Sequence, residues 1–210
     1  MIDERLVALA RGVKGFMPEA EGLALHDAAL DVGRLGPMLE IGSYCGKSAI
    51  FLGAAARESG SMVFTVDHHR GSEENQAGWE HHDPEVIDPR TGRMDTLPFL
   101  RHTLADADLE DVVVPIVGTS KTVARHWSTD LALLFIDGGH ALDVAMADYE
   151  SWACFVVPGG LLAIHDVFED PADGGQAPFE VWQRAVADGF TPADVPGAAA
   201  TTGSLRLLRR

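Results

Sequence analysis

The amino-acid sequence predicts an α/β fold, doubly wound, with a mostly parallel sheet and helices on both of its faces. Three observations carry that expectation. Short apolar runs alternate along the chain with stretches whose apolar residues recur every three or four positions. The first run, Met38–Ile41, opens directly into a glycine-broken turn and a helix. The length, 210 residues, suffices for one domain with a full hydrophobic core.

Two amphipathic helices come first, in "DERLVALARGV" and "AEGLALHDAALDVGRLG", and Gly36-Pro37 ends the second. After Met38–Ile41, "KSAIFLGAAARESG" reads as a helix stopped at Gly60. "SMVFTVD" is a strand ending on Asp67, and "VVVPIVG" and "LALLFID" are two more. "LDVAMADYESWACF" is a helix, "GLLAIHDV" a strand and "PFEVWQRAVADG" a helix. "SLRLLRR" is expected to form a last edge strand. Residues 1–210 read as one domain, with 1–36 supplying N-terminal helices.

Apolar residues make up 46% of the chain and charged residues 23%, the balance of a soluble globular protein. The charge is lopsided: 32 acids against 16 Lys and Arg give a net −16. Such a surface repels a phosphate backbone, which argues against a nucleic-acid partner. The start "MIDERLVALA" carries acids where a secretion signal carries bases. No apolar run reaches the roughly 20 residues that cross a bilayer. Cys45 and Cys154 suggest neither a disulfide framework nor a ligand pair. A cytoplasmic protein without a membrane partner is the expectation.

The first turn reads "MLEIGSYCGKSAIFLG". Its Gly46-Lys47-Ser48 imitates the end of a phosphate-binding P-loop, G-x-x-x-x-G-K-[ST]. That motif needs glycine at position 41, where this chain has isoleucine; the glycine is Gly42. The loop is one residue short. Glu40, just before it, would repel a polyphosphate and suit a positive or hydroxylated group. These points disfavour a P-loop-like nucleotide-binding protein. The absence of G-x-G-x-x-G disfavours an NAD enzyme. Asp67, at the tip of the second strand, suits hydrogen bonding to ribose hydroxyls.

An acid, a glycine-rich turn and a helix in that order resemble motif I of the class I S-adenosylmethionine (SAM) methyltransferases. The resemblance implies a seven-stranded Rossmann-like sheet and SAM as cofactor. It implies that Gly42, Ser43, Tyr44 and Gly46 approach the amino-acid end of SAM, with the helix start at Ser48 near its carboxylate and Glu40 near its ammonium. It places Asp67 and His68 at the ribose and Gly118, Thr119 and Ser120 of "VGTS" at the adenine. Ser120 reads equally well as a helix N-cap.

Two further strand ends carry chemistry. "FIDGGH" supplies Asp137 and His140, and "AIHDV" supplies His165 and Asp166. In a doubly wound sheet, ligands bind beyond the carboxyl ends of the strands. Neighbouring strands lie about 4.8 Å apart, so Asp137 and Asp166 could share a cation. This arrangement resembles the divalent-metal-dependent O-methyltransferases, which implies Mg²⁺ or Mn²⁺ held by Asp137, His165 and Asp166. His165 stands where that family shows an acid, and Mg²⁺ prefers oxygen ligands. Successive strand residues point to opposite faces, so His165 and Asp166 can both be ligands only if the strand has already ended. Asp137-Gly138-Gly139-His140 is similar to the Asp-Gly-Ser-His run of sugar O-methyltransferases, which implies His140 as general base. Imidazole titrates near neutrality, as that role requires.

Residues 68–96 show no regular period and are expected to form a substrate lid, with Arg70, Asn75, Gln76 and Trp79 meeting the acceptor. His68, His69, His81 and His82 are expected at its mouth or in solvent, and His26, His102 and His126 on helices. From about Met38 to Gly189, through "FIDGGH" and "GGLLAIHDVFEDPADGGQAPFE", the chain resembles an actinobacterial branch of sugar O-methyltransferases of the mycobacterial methylmannose polysaccharide type. That implies a sugar or oligosaccharide acceptor and a homodimer; a catechol-like phenol is the rival acceptor.

Overall fold

The structure, a computed structural model, describes residues 2–76 and 82–210. Trp79 and His81 therefore lie outside the described residues. In chain order the elements are α1 (Glu4–Gly12), α2 (Glu19–Val32), β1 (Met38–Ile41), α3 (Lys47–Ser59), β2 (Val63–Asp67), β3 (Ile87–Asp88), β4 (Arg93–Met94) and α4 (Leu97–Asp106). There follow β5 (Val113–Val117), α5 (Ser120–Ala124), β6 (Leu131–Ile136), α6 (Leu142–Trp152), β7 (Val156–Ile164), α7 (Ala177–Ala187), β8 (Thr191–Pro192), β9 (Thr201–Thr202) and β10 (Leu205–Arg209).

The main sheet runs β5-β2-β1-β6-β7-β10-β8, with β9 paired to β10. The first five strands pair in parallel through helical crossovers. β10 is antiparallel and lies between β7 and β8, not at an edge. Leu205, Leu207 and Leu208 are fully or almost fully buried there, because both faces of that strand are covered.

Period-two alternation sorts the strand side chains between the two faces. In β6, Leu133 and Phe135 join Leu25, Ala28, Ile50 and Leu52 on the face covered by α2 and α3. Leu134 and Ile136 join Tyr149, Trp152 and Val181 on the face covered by α6 and α7. All six β6 residues are buried. That double burial explains why the strand reads as a continuous apolar run.

β1, β6 and β7 end level with one another: Ile41 pairs with Ile136, and Ile136 with Ile164. The residues that follow, Gly42, Asp137 and His165, therefore leave the sheet side by side. In the segment expected as a lid, Glu73–Asn75 and Pro84–Val86 form 3₁₀ turns, and β3 and β4 form a small antiparallel hairpin. Among the described residues, no helix is long and apolar enough to cross a membrane.

Candidate active site

Gly42 has φ +92° and Gly46 φ +91°, a region that L side chains avoid. Gly42 is also pressed against β6: a Cβ there would lie 2.1 Å from the Asp137 carbonyl oxygen. The first turn thus touches the residue that ends the fourth parallel strand in sequence. Asp67 organises this turn. Its Oδ2 accepts the backbone N–H groups of Ser43 and Tyr44, both at 3.0 Å, and its Oδ1 accepts that of His69 at 2.7 Å.

Glu40 lies beneath the loop, fully buried. Its carboxylate accepts the hydroxyls of Ser48 and Thr65, and Thr65 also bonds the Ser43 hydroxyl. Burial pushes the Glu40 pKa up to about 7, against the pull of those two hydroxyls; the Asp137 and Asp67 carboxylates add to the rise. The Ser48 hydroxyl turns inward, so what Ser48 offers a ligand is its place in the first turn of α3. Tyr44, at φ +45°, packs its ring 5.8 Å from that of Phe16.

Asp137, His140 and Asp166 come together. One ligand atom from each lies within 4.8 Å of the others, and all three residues are partly exposed. His140 Nε2 is 3.3 Å from Asp166 Oδ2. Asp166 takes φ +55°, which turns it back toward β6. Burial alone would raise its pKa, but the His140 and His165 rings hold it well below the usual carboxylate range.

His165 lies beside Asp137 and Asp166, the other two expected ligands. β7 has ended at Ile164, yet the His165 ring points inward and is 2% exposed. Its Nδ1 lies 2.9 Å from Asp137 Oδ1 and 3.4 Å from Asp166 Oδ2; its Nε2 lies 2.6 Å from Glu21 Oε2. Both ring nitrogens are engaged by acids. Burial would lower its pKa, but Asp137, Asp166 and Glu21 raise it to about 12. His140 is the third member of the cluster with Asp137 and Asp166.

The outer positions divide. His68 is exposed, and its Nδ1 accepts the Arg70 N–H at 3.0 Å. His69 is buried instead of facing the mouth, with Nδ1 2.8 Å from the Thr96 hydroxyl. Gly118 N–H bonds the Asp67 carbonyl at 3.0 Å, tying the "VGTS" turn to β2. Thr119, not Ser120, is the N-cap of α5. The Ser120 hydroxyl accepts Trp152 Nε1–H at 2.7 Å and bonds Asp148, whose pKa burial lifts to about 6 against that bond. His26 and His102 lie on helices, while His126 falls in the turn after α5.

The polar residues expected to meet the acceptor make bonds within their own segment. Arg70 donates to the Met94 carbonyl at 2.9 Å, Asn75 forms a capping box with Ser72, and Gln76 donates to the Arg70 and Ser72 carbonyls. The His82 ring lies 3.2 Å from the Asn75 carbonyl. The segment does reach the site: a Cβ on Gly139 would lie 3.4 Å from Ser72 Cβ.

Sequence reasoning missed Thr65, Asp148, Glu21 and Ser204. Glu21 did leave a signal. It sits in line with Leu25, Ala28 and Val32 at helical spacing, an acid on an otherwise apolar stripe.

A parallel sheet with this strand order, an acid-and-glycine first turn at its middle and three reactive side chains beyond the next two strands define a SAM-dependent methyltransferase. Residues 39–167 match the family model described as "Methyltransferase domain", and the chain belongs to that family. Solved structures share the fold. The O-methyltransferase NovP matches with TM-score 0.66 and 16% identity, over 91% of this chain and 80% of its own. TomG, an O-methyltransferase from Streptomyces achromogenes involved in tomaymycin synthesis and solved with SAM, matches with TM-score 0.64 and 18% identity, over 100% and 90%. An O-methyltransferase from Bacillus cereus in complex with S-adenosylhomocysteine matches with TM-score 0.64 and 18% identity, over 99% and 91%.

Proposed function

We propose that this methyltransferase acts on a hydroxyl of a sugar or oligosaccharide, with a divalent cation between Asp137 and Asp166 and His140 as general base. The observation that carries this reading is the convergence of Asp137, His140 and Asp166 within 4.8 Å, directly beside the Gly42 turn. NovP and TomG, which share the fold, are O-methyltransferases, which supports an oxygen acceptor.

The residues fit both groups. The turn at Gly42 and Gly46 offers backbone with no side chain in the way, which suits the amino-acid end of SAM. Two partly exposed carboxylates suit a hard cation that keeps much of its water, Mg²⁺ or Mn²⁺. When bound, SAM supplies an electrophilic methyl carbon and the cation lowers the pKa of a hydroxyl. The chain's own part is alignment and proton transfer. Asp67 holds the Ser43–Tyr44 backbone, and Glu40 braces the turn from below through Ser48 and through Thr65, which bonds the Ser43 hydroxyl. Asp67 and His68 flank the ribose position, and Gly118, Thr119 and Ser120 the adenine position. His140 takes the hydroxyl proton on its imidazole, and Asp166, 3.3 Å from Nε2, favours the protonated ring. Ser72, beside Gly139, screens the reacting atoms from water on that side.

One observation favours a phenol acceptor as the second reading. Leu142 and Val144, just past His140, are each 44% exposed and would suit an aromatic face. A methyl-transfer assay over sugars and phenols, with Mg²⁺, Mn²⁺ or EDTA, decides. Sugar methylation abolished by EDTA supports the first reading, and methylation of phenols alone selects the second. Full activity in EDTA removes the cation from the account.

A further inference from the structure

Glu21 is a buried carboxylate that the chemistry above does not use. It is 3% exposed in the first turn of α2. One of its oxygens faces the His165 ring at 2.6 Å. The other accepts the Ser204 backbone N–H at 2.6 Å and the Ser204 hydroxyl at 3.1 Å. A Cβ on Gly203 would lie 2.1 Å from that same oxygen, so the turn from β9 to β10 is shaped around it. On its far side, His165 meets Asp137 at 2.9 Å and Asp166 at 3.4 Å. Ser204 itself reaches Asp166 at 3.4 Å.

We propose that Glu21 is a positioning residue for methyl transfer: by gripping His165 from behind, it fixes the directions of the Asp137 and Asp166 carboxylates at the acceptor site. The proposal rests on the active site proposed above. An imidazole has two ring nitrogens, and the bond made by one sets where the other points. With Nε2 tied to Glu21, Nδ1 is held toward Asp137. Without that tie, the ring torsion is broad and twofold, and Asp137 loses its fixed donor. A carboxylate so deeply buried is costly unless paired and hydrogen-bonded, and here every contact leads toward the site. Glu21 and Ser204 both lie outside the 39–167 span that matches the family. The elements flanking the shared domain thus brace its reacting end.

The test is Glu21→Gln, with Asp27→Asn as control. Asp27 also pairs with a histidine on α2, His26, at 2.8 Å, away from the site. Orienting partners of this kind change activity by about 10–100-fold. Glu21→Gln is therefore expected to lower kcat by that factor, with KM for SAM unchanged, while Asp27→Asn keeps the wild-type kcat. NMR of the ring protons gives a readout without turnover. Wild type should show an exchange-protected His165 Nε2–H signal from the bond to Glu21, and Glu21→Gln should lose or broaden it. A variant with lower Tm but wild-type kcat and an unchanged ring signal would overturn the proposal. If Glu21→Gln does not fold, Glu21→Asp, which withdraws the charge by one methylene, carries the same comparison. A wild-type protein that binds SAM but methylates no hydroxyl would defeat the functional reading; an active wild type with an unaffected Glu21→Gln kcat would defeat only the role of Glu21.

Discussion

Replacing Gly42 by alanine tests the joint between cofactor turn and reacting strand. Two costs act together. At φ +92° an L residue pays about 1–2 kcal/mol for the left-handed backbone. The new methyl would sit 2.1 Å from the Asp137 carbonyl oxygen, well inside the optimal separation of about 3.5–4.0 Å. The obstacle is backbone, so it yields only if the end of β6 moves by about 1 Å; overpacking of this kind costs about 1–3 kcal/mol. The expected loss is about 2–5 kcal/mol of a total stability of about 5–15 kcal/mol. With a urea slope of about 2 kcal/mol/M, the unfolding midpoint should fall by about 1–2.5 M at unchanged slope. A 1 Å displacement of Asp137 should cost about 10²-fold in kcat, and calorimetry should show weaker SAM binding. Gly60→Ala is the control: φ is +74° but nothing lies within 4 Å of its Cβ, so only the backbone cost applies. A Gly42→Ala protein no less stable than Gly60→Ala, with wild-type SAM affinity and turnover, would refute the coupling.

His140→Ala should lower kcat by about 10²–10⁴ with SAM affinity intact by calorimetry; an effect on acceptor KM alone would make His140 a binding residue. Chelation by EDTA should stop turnover while leaving SAM binding in place, and added Mg²⁺ or Mn²⁺ should restore it. The Glu40 pKa is raised by the fold to about 7, so folding favours its protonated form. Its stabilising contribution is present below the ordinary carboxylate pKa of about 4.3 and is lost as pH rises toward 7. Melting curves of wild type against Glu40→Gln should therefore diverge across that window, with wild type losing ground as pH rises. A cation bound above the loop favours the ionised form, so SAM should bind more tightly as pH rises through about 7, a trend absent from Glu40→Gln. Trp152→Ala, which empties a fully buried site and removes the bond to Ser120, should cost about 3–5 kcal/mol in urea unfolding.

The sequence by itself determined the layered sheet, because doubly buried strands must be apolar throughout and crossover helices must be amphipathic. The five parallel strands β1, β2, β5, β6 and β7 were legible on that ground, although β7 begins at Val156 and ends at Ile164 where Gly160–Val167 was expected; the two-residue strands β3 and β4 were not. It also determined the glycine turn, the acid at the tip of β2 and the acids at the ends of β6 and β7, since these are properties of short local stretches. What it could not give is where a side chain points once a strand has ended. His165 was legible as a polar residue next to Asp166, but its inward turn depends on Glu21, 144 positions away along the chain. Arg70, Asn75 and Gln76 are legible as polar residues of an aperiodic stretch; only the fold shows the bonds they make within their own segment. The C-terminal strand read as an edge because antiparallel insertion between β7 and β8 is decided by pairing partners, which local composition does not encode. Tertiary structure settled these points for one physical reason: a buried hydrogen-bonding group must find its partner in space, and the nearest partner in space is seldom the nearest in sequence.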